Sequence, residues 1–77
     1  SITAKVMNVT PEMNLVTLSV GKDDGVKKGF TFDVYRGGQY KGRVTVQEVD
    51  AKLCVARYKQ DLIKRSIQKG DSAKTNM

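Results

Sequence analysis

The chain has no histidine and no tryptophan, and only one cysteine and one proline, in 77 residues. Without histidine, the commonest general base is missing, so Ser1, Ser19, Ser66 and Ser72 have no imidazole to activate them. A serine–lysine arrangement finds no support in the spacing, and the chain reads as a non-enzyme. A single cysteine excludes an internal disulfide. With no Cys/His cluster there is no zinc motif, and no metal, cofactor or small-molecule substrate is expected. Cys54 reads as a small buried hydrophobe in preference to a reactive thiol. The longest apolar runs are about four residues, against the roughly 20 that cross a bilayer, and no signal-peptide pattern is present, so this segment is not expected to insert in a membrane. Because the chain opens on Ser1 instead of methionine, residues 1–77 are expected to be one domain excised from, or processed out of, a longer chain.

What is abundant is positive charge. Fourteen Lys and Arg against eight Asp and Glu give a net charge of +6 and a pI near 9.7. That keeps a nucleic-acid or other polyanionic partner in play. The charges occur singly or in pairs from Lys5 to Lys74, mostly at the outward parity of apparent strands, as in an ordinary solvated β-domain.

Those strands are organised around a polar loop, Gly21-Lys22-Asp23-Asp24-Gly25-Val26-Lys27-Lys28-Gly29, with glycine at every fourth position. Before it, Val16, Leu18 and Val20 alternate with Leu15, Thr17 and Ser19. After it, Phe30, Phe32 and Val34 alternate with Thr31, Asp33 and Tyr35. This is the two-residue period of half-buried strands. Val26, alone among polar neighbours, reads as a plug under the end of a barrel. Five or six mostly antiparallel strands in a small, closed or partly open all-β barrel are the expected architecture.

In chain order, Ile2 to Val9 forms the first strand, with Met7 and Val9 carrying apolar character to the other parity where it bends. Thr10 to Asn14 is a turn, and Leu15 to Val20 returns beside the first strand. Phe30 to Tyr35 and Gln39 to Val49 form a hairpin. Parity requires an odd connection to bring Phe30, Phe32 and Val34 onto the face of Tyr40, Gly42, Val44 and Val46. The reading is therefore a three-residue turn, Arg36-Gly37-Gly38, pairing Val34 with Tyr40, Phe32 with Gly42 and Phe30 with Val44, so that Gly42 makes room for the Phe32 ring. A bulge is expected near Gln47-Glu48, a fifth strand from Leu53 to Tyr58, and a loop with at most one helical turn from Lys59 to Gln68. The late Ile67-Gln68-Lys69-Gly70-Asp71 echoes Val26-Lys27-Lys28-Gly29-Phe30, which suggests pseudo-symmetry, and Ser72 to Thr75 closes the barrel. Gly21, Gly25, Gly29, Gly37, Gly38, Gly42 and Gly70 are the turns that define this fold.

Asp23 and Asp24 lack the remaining oxygen positions of a calcium loop, and the glycine loop lacks the Gly-Lys-Ser/Thr ending and following helix of a phosphate cradle. A nucleic-acid reading has more substance. Tyr35, Tyr40 and Tyr58 are candidate stackers, and Arg36, Lys41, Arg43, Arg57 and Lys59 candidate phosphate contacts, the last four forming an outer stripe if their strands are neighbours.

From Leu15 to Val49 the run Val16-x-Leu18-Ser19-Val20-Gly21-x-Asp23-Asp24-Gly25-Val26-x-x-Gly29-x-x-Phe32-x-Val34-Tyr35-Arg36, then Tyr40-x-Gly42-x-Val44-x-Val46 and Ile67-x-x-Gly70-Asp71, resembles a small β-barrel domain of bacterial envelope proteins. It is similar to domains that follow coiled coils in planctomycete-type proteins, and more distantly to the barrel of the rod-shape protein MreC and the C-terminal domain of the flagellar assembly protein FlgT. The resemblance implies an assembly or protein-contact module in the periplasm or another extracytoplasmic envelope compartment, with a protein partner or self-association. Cys54 departs from that pattern, as does Ala73, where a larger β-branched residue would be favoured. The expected contact surface comprises Lys22, Lys27 and Lys28 of the loop with Arg36, Lys41, Arg43, Arg57 and Lys59, and edge pairing is one expected mode. The alternative is a cytoplasmic barrel that binds single-stranded nucleic acid or another polyanion through the same basic face.

Overall fold

Strands with one apolar face hide it most completely by closing on themselves, and this chain does so. A computed structural model describes residues 1–76. β1 (Thr3–Thr10), β2 (Leu15–Leu18), β3 (Thr31–Arg36), β4 (Gln39–Val49), β5 (Cys54–Arg57) and β6 (Ser72–Thr75) form a closed barrel in the order β1-β2-β5-β4-β3-β6. Every neighbouring pair is antiparallel. Each strand is paired on both sides, which corrects the expectation of free edges for a partner strand: closure removes them. The inward parity of each strand supplies the core, with Val6, Val16, Leu18, Phe32, Val34, Val44, Val46, Cys54, Ala56 and Ala73 all buried.

The connections follow local chemistry. Pro11 starts a 3₁₀ turn (Pro11–Met13), and Asn14 ends it in the left-handed conformation at φ 56°. Lys22–Asp24 forms a second 3₁₀ turn, closed by Asp24, whose carboxylate accepts from the Gly21 N–H at 3.0 Å. Val26 is buried, as a plug should be. A third 3₁₀ turn, Gln60–Leu62, is the one helical turn between β5 and β6.

The echo between Val26–Phe30 and Ile67–Asp71 is structural. The Phe30 N–H donates to the Lys27 carbonyl at 3.1 Å, and the Asp71 N–H to that of Gln68 at 3.1 Å. The Gly29 N–H donates to the Val46 carbonyl, and the Gly70 N–H to that of Val6. In return the Val46 N–H donates to Phe30 and the Val6 N–H to Asp71. Bulges after Val6 and after Val46 complete the correspondence. Exchanging β1 with β4, β2 with β5 and β3 with β6 reproduces the same barrel order, so the molecule has a pseudo-two-fold axis. The second of these bulges lies where the sequence predicts it, at Gln47. The pairing of β3 with β6 is centred on the axis, and Ala73 there holds the place that Phe32 holds in the other half. Across that pairing Phe32 stands opposite Thr75 and Val34 opposite Ala73, which is buried.

The β3–β4 hairpin differs from its prediction. Its turn is two residues, Gly37-Gly38, both with positive φ (56° and 83°), and it pairs Arg36 with Gln39 and Tyr35 with Tyr40. The register then shifts, and Val34 pairs with Gly42 and Phe32 with Val44. The odd residue that parity demands is therefore present, but it is Lys41, bulged inside β4. Two consecutive positive-φ glycines suit the tight turn whose twist matches the strands, and the extra residue moves to the bulge.

Gly21 has an extended φ of −146°, yet an added Cβ would lie 2.2 Å from the Asp50 carbonyl oxygen. The loop is stapled there, by the Lys22 and Asp23 N–H groups donating to the Asp50 and Ala51 carbonyls. Gly25 is left-handed at φ 89° with nothing near its Cβ position. Urea denaturation should therefore show Gly21→Ala losing about 2–3 kcal/mol by overpacking, and Gly25→Ala losing about 1–2 kcal/mol by backbone strain alone.

Candidate contact surface

The bulge at Lys41 decides which basic residues face solvent. Strict alternation would turn Lys41 outward with Arg43, but the bulge turns it inward, and Lys41 is only 5% exposed. Its ammonium lies 2.8 Å from the carboxylate of Asp71, which is fully buried, and donates to the Ser66 carbonyl at 2.7 Å. Arg36 reaches the same carboxylate through Nε and the Lys69 carbonyl through a terminal nitrogen at 2.9 Å. The Gln68 N–H donates to the second Asp71 oxygen at 2.8 Å. Lys41 and Arg36 thus clamp the Ile67–Asp71 loop to the hairpin. This corrects the assignment of Lys41 to the contact surface, because it is enclosed; Arg36, half-exposed, ties the hairpin to Asp71.

Burial pushes the Asp71 carboxyl upward, but the hydrogen bonds from Lys41, Gln68 and Arg36 outweigh it and hold it below its ordinary value of 3.8. A carboxylate depressed in the folded state stabilises the fold above its unfolded pKa, and that contribution is lost as pH falls through the lower folded value.

The remaining stripe survives. Arg43, Thr45 and Gln47 follow one another at outward parity on β4, and Thr45 pairs with Arg57 of β5. Arg43, Arg57, Lys59 and Leu62 line one depression of about 260 Å³ with Thr45, Gln47 and Tyr58. It adjoins a second, of about 640 Å³, lined by Tyr40, Arg43 and Asp61 to Lys64. The two share Arg43 and Leu62. Arg43 donates to Asp33 at 3.0 Å, and that hydrogen bond raises the guanidinium pKa.

Gly42 seats the loop that borders both. It does not receive the Phe32 ring, as parity alone implied. At φ 152° it faces Ile63, whose Cδ1 lies 2.5 Å from where a Cβ would stand. The Lys64 N–H donates to the Lys41 carbonyl at 2.8 Å and fixes the segment there. With Ile63 seated on Gly42, the neighbouring Leu62 is left 61% exposed. Leu62 lies in the Lys59 to Gln68 stretch that reads from sequence as a loop, and no period there shows which apolar residue turns outward.

The loop lysines lie elsewhere. Lys22, Lys27 and Lys28 line a depression of about 580 Å³ with Gly25, Val26, Glu48 and Val49, which shares no residue with the Arg43–Leu62 pair. The expected surface is therefore two surfaces. Asp23, exposed, pairs with Lys52 at 3.0 Å.

Of the three tyrosines, Tyr58 is buried and cannot stack on a base. Tyr35 and Tyr40 meet edge to face, centroids 5.6 Å apart at 62°. Burial, and then the Asp33 carboxylate, raise the Tyr40 pKa. Cys54 is buried, and desolvation pushes its thiol up to about 11. Among the described residues no cluster of His, Cys, Asp or Glu could hold a metal, and no helix is long and apolar enough to cross a membrane. No family model and no curated protein matches the chain.

Removing one member of a buried ion pair strands the other, at a cost of about 3–5 kcal/mol. Asp71→Asn and Lys41→Met should each lose that much in urea denaturation, and the double variant less than the sum of the two. The deficit of Asp71→Asn should be widest above about pH 4 and narrow as pH falls further, in a pH series of unfolding free energies. The Cys54 thiol should resist a water-soluble disulfide reagent at neutral pH and react only on addition of denaturant.

Proposed function

We propose that this barrel is a non-enzymatic module for protein contact or assembly, and that its working surface is the paired depression around Arg43 and Leu62. The observation that carries the reading is a break in the internal symmetry. In the first half, the β2–β3 connection is stapled through Gly21 to the turn after β4, and its carboxylates are spent on its own cap and on Lys52. In the second half, the connection from β5 to β6 projects an exposed leucine between Arg43, Arg57, Lys59 and Lys64. A loop held on a rigid barrel, with an apolar residue inside a polar rim, has the character of a protein-binding patch. The resemblance of the Leu15–Val49 pattern to barrels of bacterial envelope and coiled-coil proteins supports an envelope setting and a partner that is a protein or another copy of the chain.

The polyanion alternative loses ground with the tyrosines, because one is buried and another faces a carboxylate. Titration of the 77-residue chain against labelled single-stranded DNA and RNA at roughly 50 and 200 mM salt tests the choice. Feeble, salt-sensitive binding unchanged by Arg43→Glu is expected. Saturable micromolar binding that falls steeply with salt and disappears in Arg43→Glu and Arg57→Glu would replace this reading with the polyanion one.

A further inference from the structure

The Arg43–Leu62 surface, taken as the working surface proposed above, has a chemistry that selects its partner. Leu62 stands at the junction of two depressions, and the seating of Ile63 against Gly42 holds its backbone there with its side chain exposed. Arg43 and Lys64 flank it on the side of one depression, and Arg57 and Lys59 on the other. The pairing of β4 with β5 begins at Thr45, and before it the loop itself covers the strand, with Ile63 on Gly42 and the Lys64 N–H on the Lys41 carbonyl, so the groove lies between this loop and the outward-facing Tyr40 and Arg43. A ligand lying there meets, in order, cations, an apolar centre and cations.

We infer that this groove binds a short extended segment of a partner protein in which one or two large apolar residues are flanked on both sides by Asp or Glu. The apolar side chain packs on Leu62 and the rim of Tyr40, and the carboxylates meet the basic residues at either end. A nucleic-acid strand fits less well. It carries a charge at every nucleotide, and would have to pass Asp61 in the lining and Asp33 on Arg43, whereas a peptide can space its carboxylates around them.

The test is an NMR and fluorescence titration of the 77-residue chain with a labelled peptide of sequence Gly-Glu-Asp-Leu-Phe-Glu-Asp-Gly. Two comparison peptides replace Leu-Phe with Gly-Gly, or every acidic residue with lysine. A single-stranded oligonucleotide is titrated in parallel. The expected result is saturable binding of the first peptide alone, with backbone shifts concentrated at Arg43, Arg57 and residues 59–64. Leu62→Ser and Arg57→Glu should each weaken it by roughly tenfold, while Lys28→Glu, the same charge change in the other depression, leaves it unaltered. Equal loss in Arg57→Glu and Lys28→Glu with none in Leu62→Ser would reduce the effect to net charge and overturn the inference. Absence of binding at millimolar peptide would also overturn it, with the contact-module reading left to stand on another partner. Tighter, saturable binding of the oligonucleotide would overturn both. Leu62 and Arg57 are exposed, and unaltered melting temperatures in their variants would confirm that these losses are not unfolding.

Discussion

Closure of six short strands imposes one constraint on everything else: at every position around the ring, one parity must be apolar, and the strands must bend enough to meet. Two bulges related by the pseudo-two-fold axis, after Val6 and after Val46, provide the bend. Each is gripped by a loop whose left-handed glycine donates to the carbonyl ahead of the bulge. Val26 and Ile67 then sit as plugs at symmetry-related places under the two loops. The barrel is in this sense one supersecondary unit used twice, and its stability rests on backbone pairing and aliphatic burial without an internal disulfide.

The third bulge, at Lys41, has no counterpart in the other half. It satisfies the same parity rule for the β3–β4 hairpin and, in doing so, carries a lysine into the interior. A buried ammonium is tolerable only beside a carboxylate, and Asp71 supplies it from the position where the other half has Phe30. The polar pair in one half and the aromatic residue in the other are alternative ways to fill the same corner. Every buried side-chain nitrogen and oxygen among the described residues has a partner, so the substitution is complete.

The functional argument comes from where the two halves cease to correspond. Gly21 locks the first connection onto its neighbour, whereas Gly42 accepts Ile63 and thereby presents Leu62. A single missing Cβ does opposite things in the two places: at Gly21 it lets backbone meet backbone, and at Gly42 it lets a side chain in so that the next one is left out. The exposed basic residues then acquire meaning from that leucine. Arg43, Arg57, Lys59 and Lys64 surround it, while Lys22, Lys27 and Lys28 form a separate group.

Period-two alternation was enough to determine the strands, their order of apolar faces, the antiparallel hairpins, the Gln47 bulge, the Val26 plug and the repeated glycine entry. These are properties of local pattern, and burial in a barrel enforces them residue by residue. Parity also established that one odd residue must lie between Val34 and Val44. It could not place that residue, because a three-residue turn and a two-residue turn with a bulge satisfy the same alternation. Tertiary structure alone put it at Lys41, and with it decided that Lys41 and Arg36 belong to the Asp71 clamp, that Gly42 meets Ile63 and that Leu62 faces solvent. These contacts join residues more than twenty positions apart, through a loop with no regular period, and no spacing within the sequence encodes which side chain such a loop turns inward.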